Sequence, residues 1–157
     1  MTDRRAIENF LYLEADFLDR ADLDNWILLF SEDGTYWMPA SQDQPDPDNF
    51  VSHIYDDRVM MEVRRRNFIH PRASSKDWEI RCSHLIGNIR IDNFDDENVY
   101  SVSSNQHVVV WYRDEQRVYA YRGTHLLVRG GESFLIRQKR VDLINPVAPQ
   151  KSLTIYL

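Results

Sequence analysis

The sequence has one cysteine, Cys82, in 157 residues. A single thiol cannot close an internal disulfide, and a reducing cytoplasm is the expected setting. No apolar run approaches the length of a membrane span. The first residues, Met1-Thr-Asp-Arg-Arg, lead into an amphipathic acidic segment with no apolar stretch, so they do not read as a signal peptide. Phosphate loops, dinucleotide fingerprints and nucleophile elbows are missing as well. Gly130-Gly131 has no strand–glycine–helix context and reads as a hairpin turn. Lysine is scarce: 16 of the 19 basic residues are Arg. The planar guanidinium suits partly buried pairing with carboxylates, which points to internal ion pairs or a protein interface.

What is present fits one compact α+β domain over residues 1–157. Hydrophobic residues make up 43% and aromatics 12%, too much apolar surface for a disordered chain. The net charge of −6 is unevenly spread. Residues 1–62 hold 15 Asp/Glu against 4 Lys/Arg, and residues 63–157 hold 10 against 15. So acidic a first half argues against nucleic acid as a partner.

Residues 4–19 place Ile7, Phe10, Leu11, Glu14, Phe17 and Leu18 at helical spacing. Asp22 is the expected N-cap of a second helix over Leu23–Phe30. Thr35–Met38 reads as a short strand stopped by Pro39, and residues 41–50 as an exposed loop. A third helix is expected over Ile54–Phe68, with Arg64-Arg65-Arg66 near its C-terminus, where cations suit the dipole. Residues 70–79 read as another polar loop. The period then changes. Ile80–Ile91, Val99–Trp111, Val118–Arg129 and Ser133–Ile144 are long, rich in β-branched and aromatic residues, and separated by turn residues. They predict an antiparallel meander with the helices on one face.

An ordered series of short motifs runs through the chain. It comprises Phe10–Asp19, Trp26 with Leu28-Leu29-Phe30, Glu32–Pro39, Ile54–Arg58, Ser83–Asn88, Ser104-Asn105, Tyr121-Arg122-Gly123, Arg137–Leu143 and Leu153–Leu157. In order and spacing the series resembles the β (small) subunits of Rieske-type aromatic-ring-hydroxylating dioxygenases. The resemblance implies a strongly curved antiparallel sheet with about three helices packed on it, the cystatin-like or nuclear-transport-factor-two-like cone. It further implies self-association as a trimer within an α3β3 hexamer in bacterial aromatic catabolism. The Rieske [2Fe-2S] cluster and the mononuclear iron are then expected in the α partner, with electrons from NADH through a separate reductase. No cofactor is expected in this chain, whose role would be structural.

Ligand counting agrees with part of that expectation. Cys82-Ser83-His84 imitates one arm of a Rieske site, but such a centre needs two Cys on one iron and two His on the other. A mononuclear iron needs two His and a carboxylate meeting at a point. His53, His70, His84, His107 and His125 are scattered; His84, His107 and His125 fall on different predicted strands that could bring them together, but buried or interface histidines are the preferred reading and no metal ligand is expected. Tyr55-Asp56-Asp57-Arg58 is the densest polar cluster. It reads either as an acid/base group in a cone pocket or, preferably, as a capped helix start with Arg58 paired internally. The candidates for lining a pocket are Tyr55, Asp57, Arg58, His84, Asn105 and Arg122, none of them assigned a catalytic role. The alternative is a free-standing cone-fold isomerase or dehydratase with Asp57 or His84 as base. Most of the tryptophans and tyrosines are expected in the core.

Overall fold

The structure is a computed structural model that describes residues 4–69, 80–93, 98–112, 114–146 and 156–157. The polar loop expected at 70–79 lies outside the described residues. Three helices pack against a curved six-stranded sheet ordered β2-β1-β6-β5-β4-β3. Helix α1, Arg4–Asp19, buries Ile7, Phe10, Leu11, Glu14, Ala15 and Leu18 as one stripe. It ends where Ala21 adopts a left-handed conformation, φ 54°. The Ala21 and Asp22 amides donate back to Leu18 O (3.0 Å) and Phe17 O (2.8 Å) and close the helix end.

Asp22 caps α2 as its sequence position predicts, accepting from the Asn25 amide at 3.2 Å. The helix itself is shorter than expected, Leu23–Ile27, because the chain is drawn into the sheet three residues early. The Ile136 amide donates to Leu29 O at 2.8 Å, and Phe30 already pairs with Ile136. Strand β1 is therefore long, Phe30–Pro39, and runs parallel to β6, which the meander pattern did not anticipate. Its register against β6 breaks between Phe30 and Thr35, around the buried Gly34. A Cβ on Gly34 meets Ser31 O at 2.8 Å and Ile136 O at 3.0 Å, both backbone. Gly34→Ala is accordingly expected to cost about 1–3 kcal/mol, read as a lower urea midpoint with unchanged slope.

The third helix also starts later than its pattern predicted. Residues 52–57 form strand β2 (Ser52–Asp57) on the outer edge of β1, and α3 covers Arg58–Ile69. Alternation decides it: Ile54 and Asp56 point inward while Tyr55 and Asp57 point out. Asp57 then caps the helix, its Oδ1 accepting from the Met60 amide at 2.9 Å.

The four predicted strands form the meander: β3 Arg81–Asn93, β4 Val99–Tyr112, β5 Glu115–Gly130 and β6 Ser133–Leu143. The β5–β6 turn uses Gly131 at φ 65°, where glycine has no steric cost. Strand β4 turns Tyr100, Val102, Ser104, Gln106, Val108 and Val110 inward, and β5 turns Tyr121, Gly123, His125 and Leu127 inward. On β6, Ile136 and Lys139 both face the core although three residues apart. The register slips between Leu126 and Leu127, and this bulge flips the strand's phase. Lys139 thus takes an inward position and is fully buried.

Candidate functional site

The space between α1 and the sheet is filled, and its centre is polar. Glu14 occupies an apolar-phase position of α1 and is 2% exposed. Its Oε2 accepts from Lys139 Nζ at 2.9 Å and from Trp26 Nε1 at 3.0 Å. Its Oε1 lies 2.7 Å from His125 Nε2. Burial alone raises the pKa of this carboxyl, but the Lys139 ammonium and then His125 outweigh it and hold Glu14 well below the usual carboxylate range. Burial pushes Lys139 the other way, below its ordinary value, against the pull of Glu14. Lys139 also donates to Leu157 O at 2.5 Å, and the Leu157 amide donates to Tyr36 Oη at 3.0 Å.

A second buried pair flanks the first. Asp56 pairs with Arg64 of α3 and accepts from Tyr156 Oη at 2.7 Å. The Tyr156 ring stacks on Trp26 with centroids 4.5 Å apart and meets Tyr36 edge-on at 4.7 Å. Tyr156 and Leu157 therefore fill the inside of the cone. Beside them Tyr121 donates to Gln106 Oε1 at 2.6 Å, and Gln106 donates to Ser104 Oγ at 3.1 Å.

The half-motif at Cys82 and His84 points inward beneath α1. His84 Nδ1 lies 2.5 Å from Asp19 Oδ1, and the His84 side chain is 1% exposed. Burial, with Asp19 nearby, pushes the Cys82 thiol up to about 12. A protonated thiol is neither nucleophile nor ready metal ligand at neutral pH. Cys82 is expected to react with iodoacetamide at pH 7.5 far more slowly in the native chain than in urea. Equal rates by mass spectrometry would contradict this. Among the described residues, no group of three or more His, Cys, Asp or Glu is arranged to hold a metal ion.

The remaining candidates divide between two places. Tyr55 is exposed on β2, Asp57 caps α3, and Arg58 Nη1 donates to Phe30 O at 2.9 Å, fastening α3 to the start of β1. Asn105 and Arg122 are cross-strand neighbours on the sheet's outer face. They line a notch of about 430 Å³, together with His107, Arg140, Asp142 and the 41–43 segment. There Arg140 pairs with Asp142 at 2.8 Å and lies 4.3 Å over the Trp37 ring. The structure thus brings Asn105 and Arg122 together and keeps Tyr55, Asp57, Arg58 and His84 apart from them. Sequence reasoning gave Glu14 and Lys139 no polar role, weighed His125 only as a metal ligand, and read Asp56 only as part of the 55–58 cluster. Their one signal is phase: each sits where the pattern calls for an apolar side chain.

Comparison with known proteins bears on what this arrangement does. The family model described as "Ring hydroxylating beta subunit" matches residues 13–150. Toluate 1,2-dioxygenase subunit beta of Pseudomonas putida is 33% identical over 147 residues, covering 89% of each chain. The small subunit of anthranilate 1,2-dioxygenase from Acinetobacter baylyi is 30% identical over 145 residues, 89% of this chain and 88% of its own. The crystal structure of the β subunit of benzoate 1,2-dioxygenase from Burkholderia mallei superposes with a TM-score of 0.82 at 25% identity, covering 99% of both chains.

Proposed function

This chain belongs to the ring-hydroxylating dioxygenase β-subunit family, and from that premise we propose that it is the non-catalytic partner of an iron-bearing α subunit in a bacterial dioxygenase. The relatives named for toluate, anthranilate and benzoate dioxygenases point to a small aromatic acid as substrate class. The α subunit would hold the Rieske cluster and mononuclear iron, fed by NADH through a reductase. This chain would serve assembly, as a trimer in an α3β3 complex in the cytoplasm. No helix among the described residues is long and apolar enough to cross a membrane.

The observation that carries the reading is the filled cone. The groups best suited to acid/base work, Glu14, His125 and Lys139, are consumed by one another behind Trp26, Tyr36 and Leu157, each of them at most 2% exposed. A substrate has no access to them. The alternative, an isomerase or dehydratase with a His base, has one observation behind it. Asp19 orients His84 as a carboxylate orients a general base. With its side chain 1% exposed, His84 does not reach a bound substrate without rearrangement.

Co-expression with the α subunit tests the proposal. The expected result is co-purification of both chains and NADH-dependent oxygen uptake with an aromatic acid only when both are present. In that complex His84→Ala and Asp57→Asn should keep kcat within about twofold, since neither contacts the chemistry. A loss of more than about a hundredfold in kcat with assembly intact would favour the acid/base reading.

A further inference from the structure

Tyr156 and Leu157 lie inside the cone but belong to no helix or strand. Core side chains elsewhere are carried in by their own helix or ladder, whereas these two residues are held by side chains of distant elements. Trp26 of α2 stacks on the Tyr156 ring, with centroids 4.5 Å apart and planes 28° from parallel. Tyr36 of β1 closes a second side edge-on at 4.7 Å. The Arg64 guanidinium of α3 lies 6.0 Å from the ring centroid. At the far end of the ring, Asp56 of β2 accepts from the hydroxyl at 2.7 Å. Behind the ring, Lys139 of β6 donates to Leu157 O at 2.5 Å, and Tyr36 Oη accepts from the Leu157 amide at 3.0 Å.

This is the composition of a binding pocket. Aromatic walls supply area, and a few fixed polar groups supply orientation. Filling a core takes only apolar side chains, and burying Asp56 and Lys139 costs desolvation that packing alone does not require. The end of the pocket also selects. Arg64 pairs with Asp56, so together they present a fixed acceptor without net charge. A neutral hydroxyl satisfies that acceptor. An unsubstituted ring leaves it unpaired, and a carboxylate brings no donor to it. Burial, and then Asp56, push the Tyr156 hydroxyl above its ordinary value, so the group held there is a neutral phenol.

We propose that the interior of the cone is a binding site for a small neutral phenol, which the chain's own Tyr156 occupies. An added phenol takes the place of the Tyr156 ring between Trp26 and Tyr36 and donates to Asp56. The site goes beyond the assembly reading above and stands apart from it, since binding is measured on this chain without α.

The probe is p-cresol, which is the tyrosine side chain without its backbone, and toluene, which lacks the hydroxyl, is the control. Calorimetric titration and thermal unfolding of the full chain read both. Tyr156→Ala vacates the ring site and should bind p-cresol at least about tenfold more tightly than the unmodified chain, in which Tyr156 competes. Its melting temperature should rise with p-cresol concentration. Toluene should bind this variant about tenfold more weakly than p-cresol, because it offers Asp56 no donor. Adding Asp56→Ala should erase that preference. If Tyr156→Ala does not fold, Tyr156→Phe keeps the packing and frees Asp56, and should bind p-cresol at least about threefold more tightly than the unmodified chain. The proposal is overturned if folded Tyr156→Ala takes up p-cresol no better than the unmodified chain, or takes up p-cresol and toluene equally. The second result would make the space plain core. Where only Tyr156→Phe folds, an affinity equal to that of the unmodified chain overturns it in the same way. None of these outcomes bears on whether the chain takes up α.

Discussion

Glu14→Ala is expected to lower stability by about 3–5 kcal/mol, among the largest single-residue effects in the chain. The substitution does more than remove a hydrogen-bond acceptor. It leaves the Lys139 ammonium, fully buried, without its counter-charge, and strips partners from His125 Nε2 and Trp26 Nε1. Replacing both members of the pair by apolar residues, as in Glu14→Leu with Lys139→Met, removes the stranded charge. That double variant is expected to be far closer to the unmodified chain than the sum of its single changes. Urea midpoints for the four chains of this cycle supply the check. Strict additivity would show that the pair is not coupled as the 2.9 Å contact requires.

The same carboxylate sets an acid limb. Its folded pKa lies below the unfolded value near 4.5, so its contribution is fully present above that value and is lost as pH falls through the folded pKa. The unmodified chain is therefore expected to lose stability steeply below about pH 4.5. Glu14→Gln, already weaker at pH 7, should show a shallower slope there. Parallel slopes would place the acid sensitivity elsewhere.

The second large effect is expected at Tyr156→Ala, about 3–5 kcal/mol by the cost of emptying a buried aromatic site. The ring is 3% exposed and lies against both Trp26 and Tyr36, while its hydroxyl donates to Asp56. Tyr156→Phe keeps the ring and removes only that donor. Arg64 still engages Asp56, so the loss should be near 1 kcal/mol. A large gap between the two variants would confirm that Tyr156 acts as core filling inside the cone. Near-equal costs would mean that the hydroxyl, not the ring, carries the site.

Much of the architecture was legible in the pattern, and the misses have physical causes. Helix α1 and the four meander strands declare themselves because their apolar phase is strong and long. Strand β2 did not, because a six-residue edge strand ending in Asp56-Asp57 merges with the helix that Asp57 caps. The parallel β1–β6 pairing is non-local, and nothing within Phe30–Pro39 encodes its partner. The family resemblance supplied the cone, where periodicity alone gave an antiparallel meander with the helices on one face. The buried charges were visible only as interruptions: Glu14 in a helical stripe, and Lys139 on a strand whose phase is reset by the bulge at Leu126/Leu127. Arg64-Arg65-Arg66 read as cations placed to suit the dipole at the end of the helix. Instead Arg64 reaches Asp56 on β2, and Arg65 reaches Asp24 on α2 at 2.7 Å, so two of the three fasten α3 to its neighbours.

The central claim is that this chain supports the chemistry without performing it. Its most direct test is iron content and oxygen uptake measured in parallel on the purified chain and on the complex with its α subunit. The account predicts no stoichiometric iron and no turnover for the chain alone, and both for the complex. Stoichiometric iron bound to the chain alone, or turnover without α, would contradict it.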